Sequence, residues 1–375
     1  MNKKIYILFC IVSILISACT ESYSPNINSD ANALVVQGLI TNEAKPFYVR
    51  LSQAKLFNSN QQTTYISNAK LTIKKSDNQI FTLTNNGNGY YYLPYDFQSE
   101  IGETYTLHIE TSDGLIYESD PQKLLPPLSY DSIYSEKTYN RFIGTDGEVR
   151  SVNGSSVFVD LFKNVSASNR DSFPTCRFGT SMTLQYEYWV DLPQDSFITI
   201  HKFWKTFTPN ESENLSEDNS NKSTPFIQHH NIAFVPIEIS AYGLSKPADF
   251  KEAIYYVKMD QYTINKSTYN FYNEANKQTS AGGKLFDPII TQLQGNIHCT
   301  NDKSKIALGF FEVSSVSHSA FRLNHSLNNP NITLTKAPYI GISEGEIHFR
   351  QMKKGFPPPG DDNYIDITPI WWYHH

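Results

Sequence analysis

The chain is short of cysteine, of charge and of long apolar runs, and each shortage excludes something. Four cysteines in 375 residues form no CxxC pair and no Cys/His ligand spacing, which excludes a thioredoxin-type motif and a zinc finger. Charged residues make up 18%, and 31 Lys+Arg against 37 Asp+Glu leave a net charge of −6. Such a chain has no basic footprint, and no nucleic-acid partner is expected. The longest apolar run, Ile5 to Ile16, holds twelve residues. At ~1.5 Å per residue it spans about 18 Å, too short for a ~30 Å hydrocarbon core, so a multi-span membrane protein is excluded. No P-loop, GxSxG, HExxH or GxGxxG occurs, and Gly179-Thr180-Ser181-Met182-Thr183 lacks the second glycine of a nucleophile elbow. What is abundant is aromatic: 24 Tyr and 23 Phe supply core material that the 39% hydrophobic share alone would not suggest. The chain can therefore bury a core and is not disordered throughout.

Residues 1–18 read as an export signal. Lys3 and Lys4 precede the apolar run, which ends in Ile16-Ser17-Ala18-Cys19. That ending resembles the lipobox of bacterial lipoproteins. It implies cleavage before Cys19, a diacylglycerol on its sulfur and an acyl chain on its amine. One myristoyl-length chain holds a protein weakly, whereas three make the anchor effectively permanent. Residues 19–32 are polar, contain Pro25, and read as a tether between lipid and folded chain. Of the remaining cysteines, Cys176 and Cys299 form an even pair in an oxidising compartment. They are either a disulfide or two buried thiols.

Residues 33–125 alternate apolar and polar side chains repeatedly, as in Ala69-Lys70-Leu71-Thr72-Ile73-Lys74 and Tyr105-Thr106-Leu107-His108-Ile109-Glu110. Turn signals at Ser76-Asp77-Asn78, Asn85–Gly89 and Asp113-Gly114 separate about seven short strands. This spacing predicts an immunoglobulin-like β-sandwich. Pro121, Pro126 and Pro127 mark its end, and residues 126–375 read as a larger β-rich domain. Strands are expected there at Val157–Phe162, Met182–Val190, Phe197–Ile200, Ile232–Ile239, Ala253–Met259, Ile306–Val313 and Ala320–Leu323. One helix is expected over 264–278, with Ile264, Thr268, Phe271, Tyr272 and Ala275 on one face. Residues 208–225 hold a single aliphatic side chain, Leu215, and are expected to form a mobile loop. The fold class is all-β with one or two short helices.

Several segments occur together in a familiar order: Leu34-Val35-Val36-Gln37-Gly38, Ser67–Ile73, Gly89-Tyr90-Tyr91 with Gly102-Glu103-Thr104-Tyr105, Tyr269–Asn273, Leu285-Phe286-Asp287-Pro288, Gly295-Asn296-Ile297 and Leu308–Val313. With the lipobox they resemble the lipoprotein family called domain of unknown function 4249, over nearly the whole mature chain. The resemblance implies an outer-membrane lipoprotein that faces the cell exterior and works beside a TonB-dependent receptor. It implies no catalytic residue. The family's cysteine pair before its C-terminal Pro-aromatic-Trp segment has no counterpart at Thr368-Pro369-Ile370-Trp371-Trp372.

Candidates for chemistry are few. His229-His230, and His318 with His325, are too poorly supported by acids to suggest a metal site, and the Asp361-Asp362-Asn363…Asp366 cluster lacks EF-hand spacing. No metal or cofactor is expected. The aromatic residues Trp204, Trp371, Trp372 and Tyr373 either contact a partner or glycan or pack in the core. Asp131-Ser132-Ile133 resembles an O-glycosylation site on Ser132 of exported bacterial proteins. The expected function is that of an accessory to the receptor in nutrient uptake, by gating or by capture of a glycan or peptide ligand, with the first sandwich as spacer or docking unit and the larger domain as reader. A surface hydrolase and a structural envelope protein are the alternatives from other classes.

Overall fold

The computed structural model describes residues 33–55, 62–143, 149–163, 175–190, 199–207, 213–216, 226–236, 252–280, 293, 295–326 and 329–337. The first strands along the chain are β1 (Leu34–Ile40), β2 (Tyr48–Gln53), β3 (Lys70–Lys75), β4 (Ile80–Thr82), β5 (Thr84–Asn85), β6 (Tyr90–Tyr92), β7 (Thr104–Glu110), β8 (Ile116–Ser119) and β9 (Gln122–Lys123). Then come the long strands β10 (Ser132–Ile143), β11 (Val149–Leu161), β12 (Thr175–Val190) and β13 (Thr199–Phe207), followed by β14 (Asn214–Leu215), β15 (Ile227–Pro236) and β16 (Glu252–Ile264). Helix α1 (Lys266–Ser280) leads to β17 (Ile297–Cys299), β18 (Ala307–Val313), β19 (Ser315–Ser326) and β20 (Asn329–Ala337). The all-β class with one helix is what the composition and alternation predict.

The first sandwich pairs a sheet of order β18-β1-β2-β6-β5 with a sheet of order β17-β8-β7-β3-β4, to which β9 adds beside β7. Period-two alternation builds its core. In β7 every second residue is buried, and Tyr105, Leu107 and Ile109 are fully so. They meet Val36, Leu51, Leu71, Ile73 and Tyr91 from other strands. Burying each such side chain contributes about 1.5–3 kcal/mol. The polar ends of the buried tyrosines are satisfied: Tyr91 donates to the Ile66 carbonyl and accepts from the Ala69 amide, both at 3.0 Å.

The expected boundary at 125/126 does not divide the chain into two successive domains. β18 pairs in parallel with β1 along its full length, from Leu34↔Ala307 to Ile40↔Val313, and β17 pairs with β8. Ile297, Cys299, Ala307, Phe311 and Val313 belong to the first core. The sandwich is thus closed by a segment almost two hundred residues downstream, because an edge strand with unpaired amides needs a partner. Gly309 makes that partner possible. Its φ is +88°, and a Cβ on it would lie 2.0 Å from the Val36 carbonyl oxygen.

Two further sheets, β10-β11-β15 and β13-β12-β16-β19-β20 with β14 on β12, share a second core. Val157, Val159, Leu161, Ile227, Ile232 and Val235 from the first sheet meet Phe178, Met182, Val257, Met259, Phe321 and Leu323 from the second. The chain passes from one core to the other through a single residue: Ser314, fully buried, donates its amide to the Ile40 carbonyl at 3.0 Å between β18 and β19. β10 and β20 were not among the strands expected from the sequence, because Ser, Thr, Asn and Lys interrupt the apolar signal there.

The helix forms where its periodicity predicts, two residues late at each end. Asn265 caps it, its Oδ1 accepting the Thr268 amide at 2.9 Å, and Thr268 and Tyr269 are buried. Part of the segment 208–225, expected to be mobile, is held in place. Asn214–Leu215 pairs with β12, and buried Ser216 exchanges hydrogen bonds with the Cys176 backbone, at 2.8 Å each way. Polar side chains there replace apolar burial with hydrogen bonds, which hydropathy does not register.

Candidate functional site

The two cores are locked together by a buried charge network. Arg177 of β12 extends Nη2 to Glu312 of β18 at 3.1 and 3.3 Å, and Nη1 to Glu213 at 3.2 Å. Its guanidinium lies 4.1 Å from the Tyr262 ring centroid and 5.0 Å from that of Tyr272. Tyr272 donates to Glu312 Oε2 at 2.6 Å and Ser314 donates to Oε1 at 2.7 Å, so both carboxylate oxygens are doubly engaged. Burial works against the charge of Arg177, but the adjacent Glu312 outweighs it and holds the guanidinium above its usual range. Burial, reinforced by the charge of Glu312, pushes the Tyr272 phenol well above its ordinary value. A second lock lies nearby. His318 Nδ1 is 2.8 Å from Asp260 Oδ1 and Nε2 is 3.1 Å from Glu43 Oε1, which joins β19 to the loop after β1. Hydrogen bonds to these two carboxylates raise His318 to about 9, and the bond from His318 is the main reason Glu43 falls to about 2. Both networks pair opposite charges between separate elements, the character of structural joints, although Arg177 Nε is buried without a hydrogen bond.

A different arrangement sits on the outer face of the first sandwich. Alternation in β2 sends Val49 and Leu51 into the core and Tyr48 and Arg50 outward. β6 does the same with Tyr91 inward and Tyr90 and Tyr92 outward, and the register places Tyr48 opposite Tyr92 and Arg50 opposite Tyr90. Gly89 (φ +76°) lets the strands close up, since a Cβ there would lie 2.2 Å from the Leu51 carbonyl oxygen. The result is a plate of three rings: Tyr48 to Tyr90 at 5.1 Å, Tyr48 to Tyr92 at 5.6 Å, and Tyr90 stacked on Tyr92 at 6.3 Å. Arg50 lies between the Tyr65 and Tyr90 rings, 4.4 and 4.5 Å from their centroids. Tyr48 is 45% exposed and Tyr65 37%. Arg50 has no carboxylate partner among the described residues, and its Nε is buried without a hydrogen bond.

A shallow groove of about 380 Å³ runs beside α1, lined by Asp120, Ser267, Phe271, Glu274, Asn296 and Phe310 among others. Among the described residues, no group of three His, Cys, Asp or Glu is placed to hold a metal ion.

The residues singled out in the sequence are dispersed. Cys176 and Cys299 are free, buried thiols, one in each core, so the disulfide alternative falls. Burial pushes the Cys176 thiol up to about 12. Ser132 opens β10 with its hydroxyl donated to Asp160 at 2.6 Å. Trp204 sits on β13 opposite Gln185, with its side chain outside the described residues. Cys19, Trp371, Trp372, Tyr373 and the Asp361–Asp366 segment also lie outside them. His229 and His230 part company: His229 stacks on Phe158 at 3.7 Å, and His230 Nε2 reaches Asn214 Oδ1 at 2.7 Å. The Arg50 clamp is absent from the sequence expectations. Its signal lies in Tyr48-Val49-Arg50 and Tyr90-Tyr91-Tyr92, two triplets whose outer members share a face if the strands pair in register.

A family model described as Domain of unknown function (DUF4249) matches residues 20–320, most of the chain. No curated protein and no solved structure matches it.

Proposed function

The chain belongs to the family of the Domain of unknown function (DUF4249), and on that premise we propose that it is a lipid-anchored, surface-facing binding protein that captures a ligand for a TonB-dependent receptor in nutrient uptake. Acyl chains on Cys19 confine it to the plane of the outer membrane, and residues 20–32 give it reach. Confinement raises its effective concentration beside a receptor in the same bilayer without any tight contact between the two. The observation that carries the reading is the open Arg50–tyrosine face. It joins large, rigid contact area to an uncommitted cation, the composition of a recognition surface rather than of a spacer. The reader in this reading is therefore the first sandwich, not the larger unit that the sequence suggested. The charge locks hold that sandwich at a fixed angle to the second unit, so a bound ligand is presented rather than merely tethered.

The test is in two steps. Radiolabelled palmitate is expected in the wild-type protein and not in Cys19→Ala. A pull-down of the wild-type protein from detergent-solubilised outer membrane is expected to bring a TonB-dependent receptor with it. An unlabelled wild-type protein, or a pull-down without a receptor, overturns the reading.

A further inference from the structure

From the Arg50 clamp we infer that the outer face of β2 and β6 is a binding site for an anionic saccharide, a pyranose carrying a carboxylate or a sulfate. The inference rests on the ligand-capture reading and narrows its ligand to a chemical class. Two arginines make the contrast. Arg177 contacts Glu312 and Glu213 and is enclosed, whereas Arg50 is gripped by two rings and meets no carboxylate among the described residues. A guanidinium held over aromatic rings keeps its edge for hydrogen bonds, and that edge matches the two oxygens of a carboxylate or sulfate.

The rings specify the rest of the ligand. Tyr48, Tyr90 and Tyr92 form a plate within reach of the guanidinium, with ring centroids 5.1 to 6.3 Å apart. Aromatic faces stack on the C–H face of a sugar ring, and phenolic hydroxyls at their rims meet sugar hydroxyls. Each tyrosine loses little rotamer freedom on binding. An extended peptide is disfavoured here. Both edges of β2 are taken, by β1 and β6, and both edges of β6 by β2 and β5, so no main-chain ladder is open for an added strand. Recognition on this face must come through side chains, which suits a ligand read by stacking and by charge. Exposed Gln37, opposite Arg50 on β1, adds an amide at the rim.

The experiment is titration calorimetry of the full mature chain with three probes: an oligogalacturonate, a sulfated galactan oligosaccharide and the neutral galactan oligosaccharide of equal length. Wild-type protein is expected to bind at least one charged probe ten times or more tighter than the neutral one, with affinity falling as salt is raised. Arg50→Gln is expected to lose that preference tenfold or more. Arg50→Lys is expected to recover part of it, and Tyr92→Ala to weaken all three. Thermal unfolding of each variant checks that it folds; if Arg50→Gln does not, Arg50→Lys and Tyr48→Ser carry the test. Equal affinity for charged and neutral probes, or an unchanged preference in folded Arg50→Gln, overturns the anionic class. Absence of binding to every probe overturns the site. None of these outcomes alters palmitate incorporation or recovery of a receptor, so the broader reading stands or falls separately.

Discussion

Tyr272 and Glu312 meet where helix and sandwich join, the phenol donating to the carboxylate at 2.6 Å. The bond ties α1 to β18, and Arg177 of β12 ties the same carboxylate to the second core. Three elements from distant parts of the chain thus share one buried anion. Removing one partner of such a pair strands the other's charge and costs about 3–5 kcal/mol. Glu312→Gln and Arg177→Met are each expected to lose about that much stability in urea unfolding. The double variant is expected to lose clearly less than the two together, because no stranded charge remains. Additive losses would show that the two residues do not act as a pair.

The His318 lock carries a pH signature. His318 is raised from 6.5 to about 9, so its contribution is complete below pH 6.5 and lost as pH climbs through 9. Glu43 is lowered from 4.5 to about 2, so its contribution is complete above pH 4.5 and lost as pH falls through about 2. The lock is at full strength between pH 4.5 and 6.5. The Tm difference between wild type and His318→Gln is expected to be greatest in that window and to shrink steadily towards pH 10. A difference that does not change from pH 5 to pH 10 would show that the histidine's charge plays no part.

The discontinuous sandwich makes a prediction about fragments. Residues 33–125 contain most of the first core but lack Ile297, Cys299, Phe311 and Val313, and they leave β1 with an open edge along its whole length. A fragment 33–125 is expected to unfold without a cooperative transition and to aggregate through that edge. Adding a peptide of residues 295–313 is expected to restore near-ultraviolet dichroism and a transition. Cooperative unfolding of the fragment alone would mean that the downstream strands only decorate a complete fold.

Local pattern was legible in the sequence and long-range pairing was not. The alternation Tyr105-Thr106-Leu107-His108-Ile109 reads directly as a half-buried strand, and the spacing of Ile264, Thr268, Phe271, Tyr272 and Ala275 reads as one face of a helix. The strands expected at Val157–Phe162 and Ile306–Val313 also formed, as the end of β11 and as β18. Which sheet Ala307–Val313 joins was not legible, because side-chain periodicity says nothing about a partner on the far side of a two-hundred-residue excursion. The same gap hid the candidate site. Arg50 and Tyr90 become neighbours only through the β2–β6 register, and His318 finds Asp260 only through that of β16 and β19. Single residues chosen for their chemistry fared worse, since Cys176 and Cys299 end in separate cores and His229 and His230 turn to different partners.

The closest backbone approach in the first sandwich supplies the last prediction. Gly295, just before β17, meets Gly309 within β18: a Cβ on Gly295 would lie 1.6 Å from the Gly309 carbonyl oxygen, and one on Gly309 would lie 2.0 Å from that of Val36. Neither neighbour can yield, because both are backbone atoms, and the Val36–Gly309 pair sits in the middle of the β1–β18 ladder. Gly309 also has φ +88°, so alanine there suffers conformational strain and collision together. Strain costs about 1–3 kcal/mol and overpacking about as much again, so Gly309→Ala is expected to lose about 2–6 kcal/mol in urea unfolding. Gly102 separates the two terms. Its φ is +93° and nothing lies within 4 Å of a Cβ, so Gly102→Ala registers strain without collision. Gly309→Ala should therefore cost more than Gly102→Ala, and Gly295→Ala, whose φ is not left-handed, should show collision alone. Equal losses at 309 and 102 would mean that β18 can move away from β1, and the parallel pairing would not then be what closes the sandwich.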